Sequence, residues 1–392
     1  MRPALEVADI VRQHGAAYRA AHAGQLSRSQ RRVLSAVEAC RTAALGGHAE
    51  VCADCGTVRI AYNSCRNRHC PKCQGLAQAQ WLADRQADLL PVPYFHVVFT
   101  VPGPIAELAL RNKAVVYGIL FRTAAETLRT IAADPRHLGA ELGVIAVLHT
   151  WGQTLQHHPH VHCIVPGGGP SPDGRRWVGC RPGFFLPVRV LSRLYRRRFL
   201  EELATAHRAG TLIGAGEPEA FTAQLAALRR IDWVVYAKPP FGGPETVLEY
   251  LGRYTHRVAI ANSRLVELRD GAVRFRWKDY RHHNRWKEMA VEADEFLRRF
   301  LLHTLPDGFH RIRHFGFLAN GQRTVKLALC RRLLDAEPPP PVEPAADYRE
   351  RYRQLTGRPL DRCPLCGGML ILCGPVPPQR PFAGRPAWND TS

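Results

Sequence analysis

Apolar and polar positions change rhythm several times along the chain. In "LSRSQRRVLSAVEACRTAALGG" (26–47) apolar residues recur at helical spacing, with Ser27 as an N-cap, Gln30 completing a capping box, and Gly46-Gly47 as a stop. Residues 1–47 therefore predict helices, and "GLAQAQWLADRQADLLPVP" (75–93) predicts another, broken by Pro91 and Pro93. Beyond this point apolar runs of strand length take over. "YFHVVFTV" (94–101), "GVIAVLHTW" (143–151), "HPHVHCIV" (158–165) and "DWVVYAK" (232–238) predict strands, the third ended by Gly167-Gly168-Gly169. Residues 104–132 and 188–230 predict mainly helix, as does the stretch from Glu245 to His256. "ELRDGAVRFRW" (267–277) predicts a hairpin turning at Asp270-Gly271. Strands separated by helices, some joined by short loops, predict the α+β class, with a mostly antiparallel central sheet flanked by helices. "AEPPPPVEP" (336–344) reads as a stiff linker, and the last residues read as disordered. The expected division is a helical N-terminal region at 1–92, a sheet domain at 93–335, and a Pro-rich linker with a C-terminal tail at 336–392.

Composition changes this picture in one respect. A chain of 392 residues with 46% hydrophobic and 22% charged residues is an ordinary globular profile. A formal charge of +20 and a pI near 9.9 are not ordinary, and imply a polyanionic partner. Arginines lie among aromatics in "RFRWKDYRHHNRW" (274–286) and "RLYRRRF" (193–199), which suits phosphate contact with base stacking and favours DNA over a lipid surface. No apolar run approaches the roughly 20 residues a bilayer span needs. The N-terminus shows no signal-peptide core, so a cytoplasmic protein is expected, with no membrane partner.

Twelve cysteines in such a setting point to metal rather than disulfides. Cys52-x-x-Cys55 and Cys70-x-x-Cys73 form two knuckles able to place four thiolates around one structural Zn²⁺. Cys40, His48, Cys65 and His69 could make a second, interleaved site, or serve as packing groups. Cys363-x-x-Cys366 is half of a knuckle, to be completed by Cys330, Cys373 or another subunit.

The densest chemistry lies in "LQHHPHVHCIV" (155–165). On a strand, His160 and His162 project to one face, and Val161, Cys163 and Val165 to the other, core side. Two adjacent imidazoles can converge on a divalent ion and leave positions open for a substrate oxygen. Downstream, "ETVLEYLGRYTHR" (245–257) sets Tyr250 and Tyr254 four apart, on one helix face, among Arg253, His256 and Arg257. A phenol can attack a phosphodiester when a metal polarises the phosphate.

These parts, with "SCRNRHCPKCQ", "HTWGQTLQHHPHVHCIVPGG", "YLGRYTHRVAIAN", "FRWKDYR" and "RHFGFLANGQR" in that order, resemble the two-tyrosine HUH rolling-circle transposases of the insertion-sequence ninety-one class. The resemblance runs from about residue 10 to residue 375. It implies an HUH endonuclease fold preceded by a zinc-binding domain. It implies Mg²⁺ or Mn²⁺ held by His160, His162 and a third polar ligand, for which Gln153 is the first choice and Gln156 and His158 are alternatives. It implies attack by Tyr250 or Tyr254 on single-stranded DNA, giving a 5′-phosphotyrosine and a free 3′ hydroxyl, with DNA contacts from Arg253, Arg257 and Lys278. Two other functions fit the same residues in part. A plasmid replication initiator or relaxase would use this chemistry for another purpose. A zinc-finger regulator would explain the charge and cysteines but give no work to His160, His162, Tyr250 and Tyr254.

Overall fold

A computed structural model describes residues 5–183, 185–238, 246, 252, 258–280, 282, 284–338 and 345–379. The helix expected from Glu245 to His256 lies almost wholly outside the described residues, as do most of the proline run and the last residues of the tail. In chain order the elements begin with α1 (Val7–Ala21), α2 (Arg28–Ala39), β1 (Gly47–Cys52), β2 (Val58–Tyr62) and α3 (Gln74–Gln86). There follow β3 (Tyr94–Thr100), α4 (Gly103–Arg111), α5 (Lys113–Ala133), β4 (Gly143–Trp151), β5 (His157–Pro166), β6 (Gly168–Pro170) and β7 (Trp177–Gly179). Next come α6 (Val188–Arg208), α7 (Pro218–Arg230), β8 (Val235–Lys238), β9 (Leu265–Arg269), β10 (Ala272–Asp279), β11 (Arg285–Glu292) and α8 (Ala293–Leu302). The last are β12 (Ile312–Gly316), α9 (Arg323–Leu333), α10 (Tyr348–Thr356) and β13 (Leu370–Val376). The class is α+β with antiparallel sheets, as the pattern predicts.

The division into units differs from the sequence expectation. One unit takes residues 1–80, 260–304 and 342–392; the other takes 81–259 and 305–341. The tail is therefore not a separate appendage. β13 pairs antiparallel with β1, so the C-terminal segment completes a sheet of order β13-β1-β2 with the N-terminal region. The meander β9–β11 and α8 also belong to this first unit, because its helices supply the apolar cover. Ser27 and Gln30 close their capping box at the start of α2, and Gln30 Nε2 donates to the Leu301 carbonyl at 3.2 Å, tying α2 to α8. The turn between β9 and β10 has Asp270 at φ 50 and Gly271 at φ 77, the paired positive angles of the tight hairpin that Asp-Gly predicts.

The second unit is built on a five-stranded antiparallel sheet of order β12-β4-β5-β3-β8. One face packs on α4, α5, α6 and α7 through Phe95, Val97, Phe99, Val144, Ala146, Leu148, Val161, Cys163 and Val165. Burying each such Phe or Val contributes about 1.5–3 kcal/mol, so this face fixes the register of every strand. Part of the opposite face is covered through Tyr94, Ile145, Ile164, Phe317, Leu327 and Cys330. The helical run expected over 104–132 breaks at Asn112. Its side-chain amide donates to the carbonyls of Leu108 (3.0 Å) and Ile213 (2.9 Å), competing with the helix ladder. The run over 188–230 breaks into α6 and α7 around Gly210, Gly214 and Gly216.

Candidate functional site

The sheet's second face carries a histidine cluster, and the strand register creates it. β4 and β5 pair so that His149 lies opposite His160 and Val147 opposite His162. Paired residues share a face, so three imidazoles meet. Their ring centroids lie 5.3 Å apart for His149–His160, 4.2 Å for His149–His162 and 4.8 Å for His160–His162. One nitrogen from each lies within 4.8 Å of the others. The next strand adds His96, whose Nε2 is 2.7 Å from His162 Nδ1 and whose ring stacks on His162 at 4.9 Å. His160 Nδ1 donates to the His158 carbonyl at 2.7 Å. The His158 carbonyl can only accept, so His160 carries its proton on Nδ1 and keeps the Nε2 lone pair for the cluster; His162 does the same when its Nδ1 donates to His96. Trp151 stacks on His149 at 4.7 Å and limits how that ring can turn.

Burial favours the neutral form of His96, His160 and His162. It pushes His160 down to about 3, with His158 adding a smaller push, and His96 down to about 4, helped by Lys238. His162 is held well below the ordinary imidazole range, first by burial and then by His149. Neutral imidazole is the form that ligates metal. Three nitrogen donors on a rigid sheet fit a divalent first-row ion and leave further positions for oxygens.

His160 and His162 thus stand together as their alternation predicts. The third histidine of the group is His149. Gln153, the first choice from sequence, sits in the turn between β4 and β5, and the antiparallel register places His149 across from His160. His158 contributes its carbonyl to His160. His149 and His96 were both missed by local spacing. The signal for His149 was available in the hairpin, since pairing β4 with β5 around the 152–156 turn sets it opposite His160. Tyr250, Tyr254, Arg253 and Arg257 lie outside the described residues. Lys278 lies on β10, with its ammonium 5.7 Å from the centre of the Tyr280 ring.

The cysteines also regroup. Cys40, Cys65, Cys70 and Cys73 form one set, and Cys52, Cys55, Cys363 and Cys366 another. Sequence spacing had joined Cys52 and Cys55 to Cys70 and Cys73. The β1–β2 hairpin prevents this. Its open end, where Gly47 pairs with Tyr62, adjoins Cys40 through the Arg41 N–H to the Asn63 carbonyl (3.1 Å). Cys52 lies at the other end of β1, roughly 16 Å away at ~3.3 Å per residue. In the first set Cys40 Sγ is 3.4 Å from Cys73 Sγ and 3.6 Å from Cys70 Sγ, and Cys65 Sγ is 3.5 Å from Cys73 Sγ. Four thiols at such separations suit tetrahedral Zn²⁺. His48 and His69 stay outside the group: His48 faces Glu50 (3.3 Å), and His69 bonds Asn67 (2.9 Å from its N–H). Among the described residues no helix is long and apolar enough to cross a membrane.

The chain is similar to known transposases over most of its length. Residues 143–325 match the family described as "Putative transposase", and residues 10–101 match "Transposase zinc-binding domain". "Putative transposase y4qJ" of Sinorhizobium fredii is 64% identical over 381 residues, which cover 95% of this chain and 96% of the relative. The "Transposase for insertion sequence element IS801" of Pseudomonas savastanoi pv. phaseolicola is 29% identical over 353 residues, covering 85% of this chain and 80% of the relative. Among solved structures, the conjugative relaxase TrwC in complex with oriT DNA, in its metal-bound form, aligns at 15% identity. That alignment covers 41% of this chain and 70% of the relaxase, with a TM-score of 0.24.

Proposed function

The chain belongs to the transposase family of the insertion-sequence ninety-one class, and we propose that it cuts and rejoins single-stranded DNA at transposon ends through a tyrosine-linked intermediate. The observation that carries this reading is the convergence of His149, His160 and His162 on one face of an antiparallel sheet. These three residues hold the ion; His96 and the His158 carbonyl orient two of them. When bound, a divalent cation polarises the scissile phosphate and offsets charge in the transition state. Lys238 pairs with His96 in register and adds positive charge on the same face for the DNA backbone. The chain leaves the sheet at Lys238, on the edge strand beside β3, before the segment that bears Tyr250 and Tyr254.

In the proposed reaction a tyrosine oxygen attacks phosphorus. A tyrosyl O–P bond forms, the P–O3′ bond breaks, and the 3′ oxygen leaves as a hydroxyl after taking a proton. The tyrosine loses its own proton as it attacks. The phosphotyrosine keeps the bond energy, so a later 3′ hydroxyl can reverse the step without ATP. Two tyrosines allow one exchange at each transposon end. Arg253, Arg257 and Lys278 are proposed to contact the DNA backbone, and the location is the cytoplasm.

The donor set refines the choice of ion. Mg²⁺ keeps an oxygen shell and accepts nitrogen donors poorly, so of the two expected ions the transition ion Mn²⁺ fits three imidazoles better. The test is cleavage of labelled single-stranded DNA carrying the element's end. Cleavage that requires a divalent ion, is faster with Mn²⁺ than with Mg²⁺, and is lost in the His160→Ala/His162→Ala double variant is the expected result. Undiminished ion-dependent cleavage by that variant would remove the cluster from the reaction.

A further inference from the structure

Cys363 and Cys366 lie outside the segment that matches the zinc-binding family, residues 10–101. The fold nevertheless gives them partners. β13 pairs with one edge of β1, bringing Leu370 opposite Cys52, and β2 pairs with the other edge. Two five-residue loops of the same design meet at one end of this sheet. "CADCG" (52–56) follows β1, and "CPLCG" (363–367) precedes β13.

The loops share their backbone hydrogen bonds. The Gly56 N–H donates to the Cys52 carbonyl at 3.0 Å, and the Gly367 N–H donates to the Cys363 carbonyl at 2.9 Å. Both glycines are left-handed, with φ of 67° and 80°, a conformation that costs an L side chain. Each first cysteine also donates its N–H across the loop, Cys52 to the Thr57 carbonyl (3.0 Å) and Cys363 to the Gly368 carbonyl (2.7 Å). A further bond, Ala53 N–H to the Met369 carbonyl at 2.9 Å, fastens one loop to the base of the other. The Cys366 sulfur accepts from the Gly368 N–H at 3.4 Å, the type of contact that stabilises a thiolate.

The sulfurs meet at metal spacing. Cys52 Sγ lies 3.4 Å from Cys366 Sγ, Cys55 Sγ lies 3.8 Å from Cys363 Sγ, and all four fall within 4.8 Å of one another. A disulfide would need about 2.05 Å. Tetrahedral thiolates at a Zn–S distance of about 2.3 Å stand ~3.8 Å apart. We propose that Cys52, Cys55, Cys363 and Cys366 form a second Zn²⁺ site, distinct from the Cys40 group, that joins the two ends of the chain into one zinc ribbon. The N-terminal sheet is then complete only when the C-terminal knuckle has been made. A chain cut short before Cys363 keeps its first zinc and loses the second.

The test is differential alkylation of the zinc-loaded, full-length protein, read by mass spectrometry, with metal content measured on the same sample. Cys55, Cys366 and Cys373 are all exposed, so burial alone does not shield them. Metal is counted in a His160→Ala/His162→Ala background so that the histidine cluster adds none, and there the proposal expects two Zn²⁺ per chain, both held by cysteines. Cys52, Cys55, Cys363 and Cys366 resist alkylation together until a chelator is added, while Cys373 reacts at once. The Cys363→Ser/Cys366→Ser variant is expected to hold one Zn²⁺ and to expose Cys55. If Cys366 and Cys363 react as fast as Cys373 in zinc-loaded protein, or if that variant still holds two ions, the proposal fails. Since neither readout involves DNA, failure here leaves the cleavage reaction untouched, and failure of cleavage leaves the ribbon untouched.

Discussion

His149 is the residue on which the site's geometry turns. It stands across from His160 because two strands pair in one register, and local alternation does not join residues eleven apart. Substituting it removes one of three nitrogens, so His149→Ala is expected to lower the affinity for Mn²⁺ by at least tenfold and cleavage with it. Gln153→Ala is expected to leave both within about threefold; titration calorimetry and cleavage rates on the two variants decide between them, and a larger effect at Gln153 would restore it as the third ligand. His96 acts through His162, which it holds at 2.7 Å. Loss of such a supporting contact typically costs about 10–100-fold in metal affinity, so His96→Ala is expected to weaken Mn²⁺ binding while preserving single-stranded DNA binding. The alternation His160-Val161-His162 was legible in the sequence because a period of two needs no tertiary information. His149 and His96 were not, because each belongs to a different strand.

The β4–β5 hairpin is the element that converts register into chemistry. Its turn contains Leu155, fully buried yet at φ 64. A left-handed Leu costs about 1–2 kcal/mol, and burying its side chain returns about 1.5–3 kcal/mol, so packing wins and pins the turn. Leu155→Ala keeps the strain and gives up most of the burial. It is expected to destabilise the protein by about 2–3 kcal/mol in a denaturant melt and to weaken metal binding by loosening the hairpin. An unchanged melting midpoint would show that the turn does not depend on this anchor. The same scale explains the cysteine regrouping. Sequence spacing treats Cys52, Cys55, Cys70 and Cys73 as neighbours, but Cys52 and Cys55 sit at the turn of the β1–β2 hairpin, and β2 carries the chain back to its open end before Cys70 and Cys73. The helices of residues 1–47, the strands at 94–101 and 143–165 and the Asp270-Gly271 turn were readable, since their signals are local. The strands β1, β2 and β13 were not, being short and defined by pairing between the chain's two ends.

For the whole molecule, charge and buried imidazoles set the dependence on conditions. A formal charge of +20 predicts that binding to single-stranded DNA weakens at least tenfold between 50 and 200 mM salt, through counterion release, about the loss a handful of phosphate contacts produces. Fluorescence anisotropy at several salt concentrations measures the slope, and a flat response would contradict charge-led binding. Away from the metal cluster, burial pushes His157 and His314 down to about 4, with Lys113 and Arg85 adding to the effect. The unfolded chain takes up protons below about 6.5 while the folded chain does not until about 4. Stability from these two groups is therefore fully present above pH 6.5 and is lost as pH falls toward 4, by at most about 1.4 kcal/mol per unit for each. Metal-free protein is expected to melt progressively lower across that window, and a midpoint that stays constant from pH 7 to 4.5 would contradict it.

The division into units taught the same lesson as the cysteines: the proline run looks like a boundary in sequence, yet the residues beyond it rejoin the first unit through β13. The most direct measurement is capture of the covalent intermediate. Protein is mixed with labelled single-stranded DNA from the element's end and Mn²⁺, resolved on a denaturing gel, and the linked residue is mapped by mass spectrometry. The account predicts a protein–DNA band that EDTA abolishes and that maps to Tyr250 or Tyr254. Firm DNA binding with no adduct, or an adduct on any other residue, would contradict it.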